Sequence, residues 1–291
     1  MRSRVGAVVV NHDAGDALAD CVASLRAEGV EELVVVDNAS TDGSTERLEA
    51  AENEVRVVRS RRNLGYGAGV NRGLVLVDSE LVLVCNPDVV VHQGAISAMA
   101  AALDEDPERI IAGPCILESD GRRYPSARRF PSWVDAAGHA LLSPFDPGNR
   151  FSRRYRMDDL ATSATSGVDW VSGACFLARR SPLMRLGGFD ERYFMYLEDT
   201  DLCWRARRQG YVVVYVPAAT VSHSQGLSTG RKPYRMLVAH HRSALRFAGR
   251  TTTGWRRVGI PAVALLLALR LAVVTVLRAY SERRGARRAA D

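Results

Sequence analysis

The chain has 291 residues, 39 Lys plus Arg against 33 Asp plus Glu, a formal net charge of +6 and 47% hydrophobic residues. That apolar share excludes a disordered chain, and the length suits one large domain or two small ones. Lys232 is the single lysine, so the positive charge reads as an arginine-rich composition rather than a nucleic-acid footprint.

The N-terminus, MRSRVGAVVVNHD, has a short apolar run that ends in polar residues without a cleavage site. It reads as a first strand, Val5–Val10, and not as a signal peptide. Valine-rich runs at Leu33–Val36, Val55–Val58 and Leu81–Val84 have the character of buried parallel strands. Helical spacing covers Asp16–Ala27, Thr45–Glu52, Ala68–Val77 and Gly94–Asp106. This alternation predicts an α/β fold: a parallel sheet covered by helices, with ligands at the carboxyl ends of its strands. From Pro114 to about Ser166 the pattern is irregular, with one short helix expected near Val134–Leu142. Strand character resumes at Val168–Ala178 and Tyr211–Val216, and Tyr234–Ala248 is helical. Cys21, Cys85, Cys115, Cys175 and Cys203 are odd in number and form no C-x-x-C pair, so we expect reduced thiols and no structural zinc site.

Three polar clusters sit at predicted strand ends. Asp37-Asn38-Ala39-Ser40-Thr41-Asp42-Gly43-Ser44 offers Asp37 as an acceptor for a base or ribose, or serves as a helix-starting turn. Asn63-Leu64-Gly65-Tyr66-Gly67-Ala68-Gly69-Val70-Asn71-Arg72-Gly73 lets backbone approach a ligand and presents helix-start amides to phosphate. It does not match G-x-G-x-x-G, and Lys232 is followed by Pro233, so neither a dinucleotide-binding dehydrogenase nor a Walker A loop is supported. In Cys85-Asn86-Pro87-Asp88 the aspartate suits a divalent cation, and His223 is either a second ligand or structural.

The densest signal is Gly187–Tyr211, GGFDERYFMYLEDTDLCWRARRQGY. Asp190, Glu198, Asp199 and Asp201 stand among Phe194, Met195, Tyr196 and Leu197. Apolar surroundings desolvate carboxylates, raise their pKa and suit them to accept protons. The alternative for Asp199 or Asp201 is helix capping.

In order, VVVDNASTDGS, NLGYGAGVNRG, NPDV, WVSGACFLARR, GGFDERYFMYLEDTDL and His223 resemble glycosyltransferase family 2 of the GT-A fold, over roughly residues 4–250. YPSARRFPS, HALLSPF, VDWVSGAC and STGRKP narrow the resemblance to the actinobacterial rhamnosyltransferases of cell-wall linker synthesis. The resemblance implies inverting transfer of L-rhamnose from dTDP-β-L-rhamnose to N-acetylglucosaminyl-diphospho-polyprenol. It implies nucleotide contacts from Asn11, Asp37, Asn38, Asn63, Gly65, Asn71, Asn86 and Asp88. It places Mg²⁺ or Mn²⁺ on Asp88 and His223, the general base at Asp199 with Glu198 beside it, and a sugar site at Trp170, Ser172 and Gly173. Asn86 stands where the family's D-x-D pattern has its first acid, so metal binding is expected to lean on the substrate. A relative using another nucleotide sugar, or a catalytically silent assembly partner, are the competing readings, and a homo-oligomer fits any of them.

Residues 1–250 are thus read as the transferase domain and 251–291 as a membrane-attachment helix and tail. Gly259–Leu277 is apolar and near the roughly 20 residues needed to span a bilayer, but Arg270 stands at its middle. Arg250, Arg256, Arg257, Arg278, Arg283, Arg284, Arg287 and Arg288 crowd this end. A helix lying on the cytoplasmic face of the membrane, with Arg270 snorkelling, is the expected arrangement, with a true span or a helix buried against the catalytic domain as the alternatives.

Overall fold

A computed structural model of the chain describes residues 4–288, except 53, 131, 133–134, 136–137, 139–140, 144, 147, 158–163 and 225–232. Strand β1 (Val5–Asn11) is a valine-rich run that lies between β2 (Glu32–Asp37) and β4 (Leu81–Cys85), with β3 (Arg56–Arg59) outside β2. These four strands are parallel, as the alternation predicts. Their side chains alternate between two apolar layers, so both faces of each strand need cover.

On one face, α1 (Ala17–Ala27), α2 (Ser44–Ala51) and α4 (Ala95–Asp104) supply Leu18, Cys21, Val22, Leu25, Leu48, Ile96 and Met99, packed with Ala7, Val9, Leu33, Val35 and Leu83. On the other, α3 (Tyr66–Leu74) supplies Val70 and Leu74 against Val8, Val10, Val34 and Val36. The i, i+3, i+4, i+7 spacing of the α1 residues is what lays them along one stripe.

Beyond β4, where the strand–helix alternation ends, the sheet becomes mixed. Strand β6 (Arg109–Leu117) does not join β4 directly. An antiparallel strand, β11 (Cys175–Arg179), inserts between them. The long β12 (Val212–His223) runs parallel to β6, and the short β5 (Val89–Val91) pairs antiparallel with its far end. The predicted strand Val168–Ala178 is three pieces. Ser166–Val168 (β9) joins β12, Trp170–Val171 (β10) pairs with Ala127–Arg128 (β8), and β11 enters the main sheet. Arg123–Tyr124 (β7) pairs with β6. Helices α5 (Arg150–Arg156) and α6 (Arg180–Arg185) add two short connections. The helix expected near Val134–Leu142 falls mostly outside the described residues. All five cysteines are buried and free.

Two features aim the site. Between Val216 and Thr220 the β6–β12 register slips, so Val216 pairs with Pro114 and Thr220 with Cys115. The extra residues carry the end of β12 onto β5, where His223 faces Val89 beside the Asn86–Asp88 turn. Helix α7 (Glu198–Arg208) follows Tyr196 and Leu197, both at positive φ (69° and 62°). Left-handed backbone is costly for such residues and persists only where packing holds it.

The C-terminal part forms a helical hairpin. Helix α8 (Pro233–Thr251) is followed by a 3₁₀ turn, Gly254–Gly259, and by α9 (Ile260–Arg288). Helix α8 is tied to the rest of the protein by Arg250, which bonds Asp190 (2.7 Å) and Asp201 (3.0 Å), and by Ser243 Oγ donating to the Met195 carbonyl (2.9 Å). The stretch Gly254–Tyr280 is long and apolar enough to cross a membrane, and none of its residues is fully buried in the protein. Arg270 donates to His241 Nε2 on α8 (3.0 Å), while His241 Nδ1 bonds the Leu237 carbonyl (2.7 Å). The arginine expected to snorkel has a nearer partner on α8.

Candidate active site

A cleft of about 360 Å³ opens at the carboxyl ends of β1, β2 and β4. It is walled by His12, Asn38, Asn63, Tyr66, Asn86 and Asp88 on the sheet side. Arg128, Tyr155, Trp170, Ser172 and Gly173 line it from the small β8–β10 pair, and Tyr196–Thr200, His223 and His240 close it.

The nucleotide-side loops hold one another by side-chain amides. Asn38 donates to Asn63 Oδ1 (3.1 Å) and to the Gly65 carbonyl (3.0 Å), and accepts from Leu64 N–H (2.9 Å). Asn11 and Asp37 lie one layer behind the wall. Asn11 Nδ2 reaches Ser40, Ser44 and Thr45, and Asp37 Oδ1 accepts from Ser40 N–H (2.9 Å). Both shape the loop that carries Asn38. Asn71 is not on the cleft wall: its amide is bonded to both the N–H and the carbonyl of Phe189 and to Glu191. Gly65 serves the turn opposite. At φ +90°, a Cβ there would stand 2.2 Å from the Phe194 carbonyl oxygen, which accepts from Tyr66 N–H (3.1 Å). Only glycine allows that approach.

Asp88 and His223, at neighbouring strand ends, come together. Their contact, Oδ1 to Nε2, is 3.1 Å, and Asn86 Nδ2 is 3.2 Å from the same imidazole nitrogen. His223 Nδ1 is buried without a hydrogen-bond partner among the described residues. One carboxylate and one imidazole, with a neutral amide at Asn86, are two hard or borderline donors. They fit a divalent cation that takes its remaining ligands from phosphate and water. No group of three or more His, Cys, Asp or Glu that could hold a metal occurs among the described residues.

The four carboxylates of the Gly187–Tyr211 stretch divide. Asp201 is fully buried and paired with Arg205 (2.7 Å) and Arg250 (3.0 Å). Arg192 and Arg250 meet Asp190, and hydrogen bonding to Arg192 lowers its pKa to about 2. Neither acid caps the helix, whose N-cap is Leu197. Glu198 and Asp199 are in no ion pair among the described residues. Burial, reinforced by Asp199, pushes the Glu198 pKa up to about 8, and Glu198 Oε2 is buried without a hydrogen-bond partner there. Asp199 is also raised by burial, but three donors oppose it: Gly173 N–H (2.8 Å), Thr200 N–H (2.7 Å) and Thr200 Oγ (3.2 Å). Of the two, Asp199 is the better placed to hold negative charge, because the donors are there. Gly173 is shaped for this role, because a Cβ would lie 3.1 Å from Asp199 Cβ.

Arg128 was not singled out in the sequence. Its guanidinium lies over the rings of Trp170 (5.1 Å), Tyr124 (5.3 Å) and Tyr155 (5.4 Å), and its charge offsets part of the burial cost at Asp199. One face of the Trp170 indole, expected to receive a sugar ring, is thus taken by this cation. Trp170 Nε1 donates to the Arg129 carbonyl (3.1 Å). The pairing of Trp170 with Arg128 is a two-residue ladder, too short to leave a periodic signal.

Residues 7–187 match the family model described as glycosyl transferase family 2. The chain belongs to this family. The Glu198–Asp199 turn lies beyond the matched span. Among curated proteins, N-acetylglucosaminyl-diphospho-decaprenol L-rhamnosyltransferase of Mycobacterium tuberculosis is 40% identical over 245 residues, which is 80% of each chain. Among solved structures, the mannosyltransferase PcManGT from Pyrobaculum calidifontis, in complex with GDP-Man and Mn²⁺, has a TM-score of 0.58 at 16% identity, covering 100% of this chain and 81% of that one. GalNAc-T7 with UDP, GalNAc and Mn²⁺ also has a TM-score of 0.58 at 16% identity. That alignment covers 92% of this chain and 54% of the other, so this chain spans about half its length. The likeness establishes the GT-A fold, and the family makes the protein a glycosyltransferase.

Proposed function

We propose that this family member moves L-rhamnose from dTDP-β-L-rhamnose to N-acetylglucosaminyl-diphospho-polyprenol at the cytoplasmic face of the membrane, with inversion. The observation that carries the reading is the 40% identity, spread over 80% of both chains, to the rhamnosyltransferase of that name.

The site supplies the groups this reaction needs. Asn38 and Asn63 line the nucleotide end, with Asp37 and Asn11 behind them. Asp88 and His223 would hold Mg²⁺ or Mn²⁺, which supplies positive charge to the leaving diphosphate. Asp199 accepts the proton of the acceptor hydroxyl. As that oxygen bonds to the anomeric carbon, the bond from this carbon to the diphosphate oxygen breaks, and dTDP leaves with the electron pair. Glu198, protonated at neutral pH by its burial, donates a hydrogen bond to a sugar oxygen. Ser172 and Gly173 form the floor between the two substrates, and α9 keeps the cleft near the lipid phase.

The test is transfer from dTDP-L-rhamnose to a short-chain GlcNAc-diphospho-polyprenol, with Mg²⁺ and with chelator. Metal-dependent rhamnosylated product is the expected result. Turnover of a UDP- or GDP-sugar instead, with none from dTDP-L-rhamnose, would discard the rhamnosyl reading and keep the family chemistry.

A further inference from the structure

Beside the cleft lies a larger groove of about 1150 Å³, running along α8 and bounded on the other side by Arg192 and Phe194. Its walls mix two chemistries. Arg235, Arg242 and Arg246 stand along one face of α8, interleaved with Met236, Val238 and Leu245. Arg192 and Arg250 also line it, but their charges are met by Asp190 and Asp201. Arg235, Arg242 and Arg246 are exposed and in no ion pair among the described residues. The sequence offers them no nearby counter-charge: from Leu202 to Ser281 it contains no Asp or Glu. Arg242 and Arg246 are one helical turn apart, a separation at which neighbouring side chains can converge on one group.

The groove and the cleft are neighbours. Ala239 lines the groove and the next residue, His240, lines the cleft, where its ring meets Tyr196 edge-on at 5.5 Å. Likewise Phe194 faces the groove while Met195 and Tyr196 face the cleft. A molecule with a polar head in the cleft and its next atoms in the groove would meet Arg242 and Arg246 together with apolar side chains.

We propose that this groove seats the diphosphate and first prenyl units of the acceptor, with Arg242 and Arg246 gripping the diphosphate and Phe194, Val238 and Leu245 covering the chain. The idea rests on the reading above only in requiring a prenyl-diphosphate acceptor. An arginine pair suits the anion, since guanidinium–phosphate bonds are charge-assisted and directional. The interleaved apolar residues suit an alkyl chain and would serve no purpose for a soluble anion.

The experiment measures binding of radiolabelled farnesyl diphosphate to the full-length protein in neutral detergent, for wild type, Arg242→Glu/Arg246→Glu and Leu245→Asp. dTDP binding serves as the check that each variant is folded. Wild type should bind, the double variant should bind at least about tenfold more weakly, and Leu245→Asp should weaken farnesyl diphosphate while leaving inorganic diphosphate unchanged. Wild type that fails to bind, or a double variant that binds normally, overturns the proposal. So does a double variant that keeps farnesyl diphosphate but loses sedimentation with phosphatidylglycerol vesicles, because the groove is then a headgroup dock. Transfer from dTDP-L-rhamnose is scored separately: intact farnesyl diphosphate binding without rhamnosyl transfer discards the donor assignment and leaves the groove standing.

Discussion

Two pairs of acids in one short stretch of chain have opposite surroundings. Asp190 and Asp201 are met by Arg192, Arg205 and Arg250, while Glu198 is buried and Asp199 half-buried, with backbone amides, one hydroxyl and no arginine partner in ion-pair range. Arginine neutralises the first pair and lets it fasten α7 and α8 together. Desolvation, only partly offset by the charge of Arg128, raises the pKa of the second pair, as the proposed proton transfer requires. Acid content alone would treat all four alike; only the partners separate the fasteners from the proposed reagents.

The largest test of this contrast is Asp199→Asn, which should lower the transfer rate by about 10²–10⁴-fold while dTDP binding stays within a few-fold. Equal loss of nucleotide affinity would remove Asp199 from the base role. Next is Asp201→Ala, which leaves Arg205 without a carboxylate and takes from Arg250 one of its two. Breaking a buried pair this way costs about 3–5 kcal/mol, read as a lowered unfolding midpoint, while kcat of the folded fraction stays within a few-fold. A collapse of kcat without loss of stability would erase the distinction between the pairs. Gly65→Ala should follow, because its methyl group meets the Phe194 carbonyl and shifts the turn that presents both reagents. We expect about 1–3 kcal/mol of destabilisation together with a fall in kcat.

The last test concerns pH dependence. The folded-state pKa of Glu198, about 8, lies above its usual value of 4.5, so the folded protein holds this proton across that interval. Stability from this group is complete below pH 4.5, declines as pH rises and is lost above 8, with a limiting slope of about 1.4 kcal/mol per pH unit. Glu198→Gln should flatten that decline in denaturant titrations at pH 5, 6.5 and 8. An unchanged slope would show that Glu198 is not the group held protonated.

Much of this was legible in the sequence. The parallel half of the sheet follows from valine runs such as Val5–Val10 and Leu81–Val84, and the turns after them carry Asn38 and Asn86–Asp88. Glu198 and Asp199 were visible as acids among aromatics. The antiparallel insertion of β11 was not, because an apolar run specifies strand and burial but not direction. Arg128 was missed since its environment is assembled from Tyr124, Tyr155 and Trp170, which are distant in sequence and meet only in the fold. The part of Asn71 in holding Phe189 is invisible for the same reason.

The paired left-handed residues Tyr196 and Leu197 bear on where the chain can be shortened. Each such residue costs roughly 1–2 kcal/mol, so the turn keeps its shape only while its braces last. One brace is Ser243, whose hydroxyl bonds the Met195 carbonyl from helix α8. We expect a version ending after Thr253 to keep this brace while shedding the apolar helix, and a cut before Pro233 to let the proposed reactive acids drift although neither had been touched.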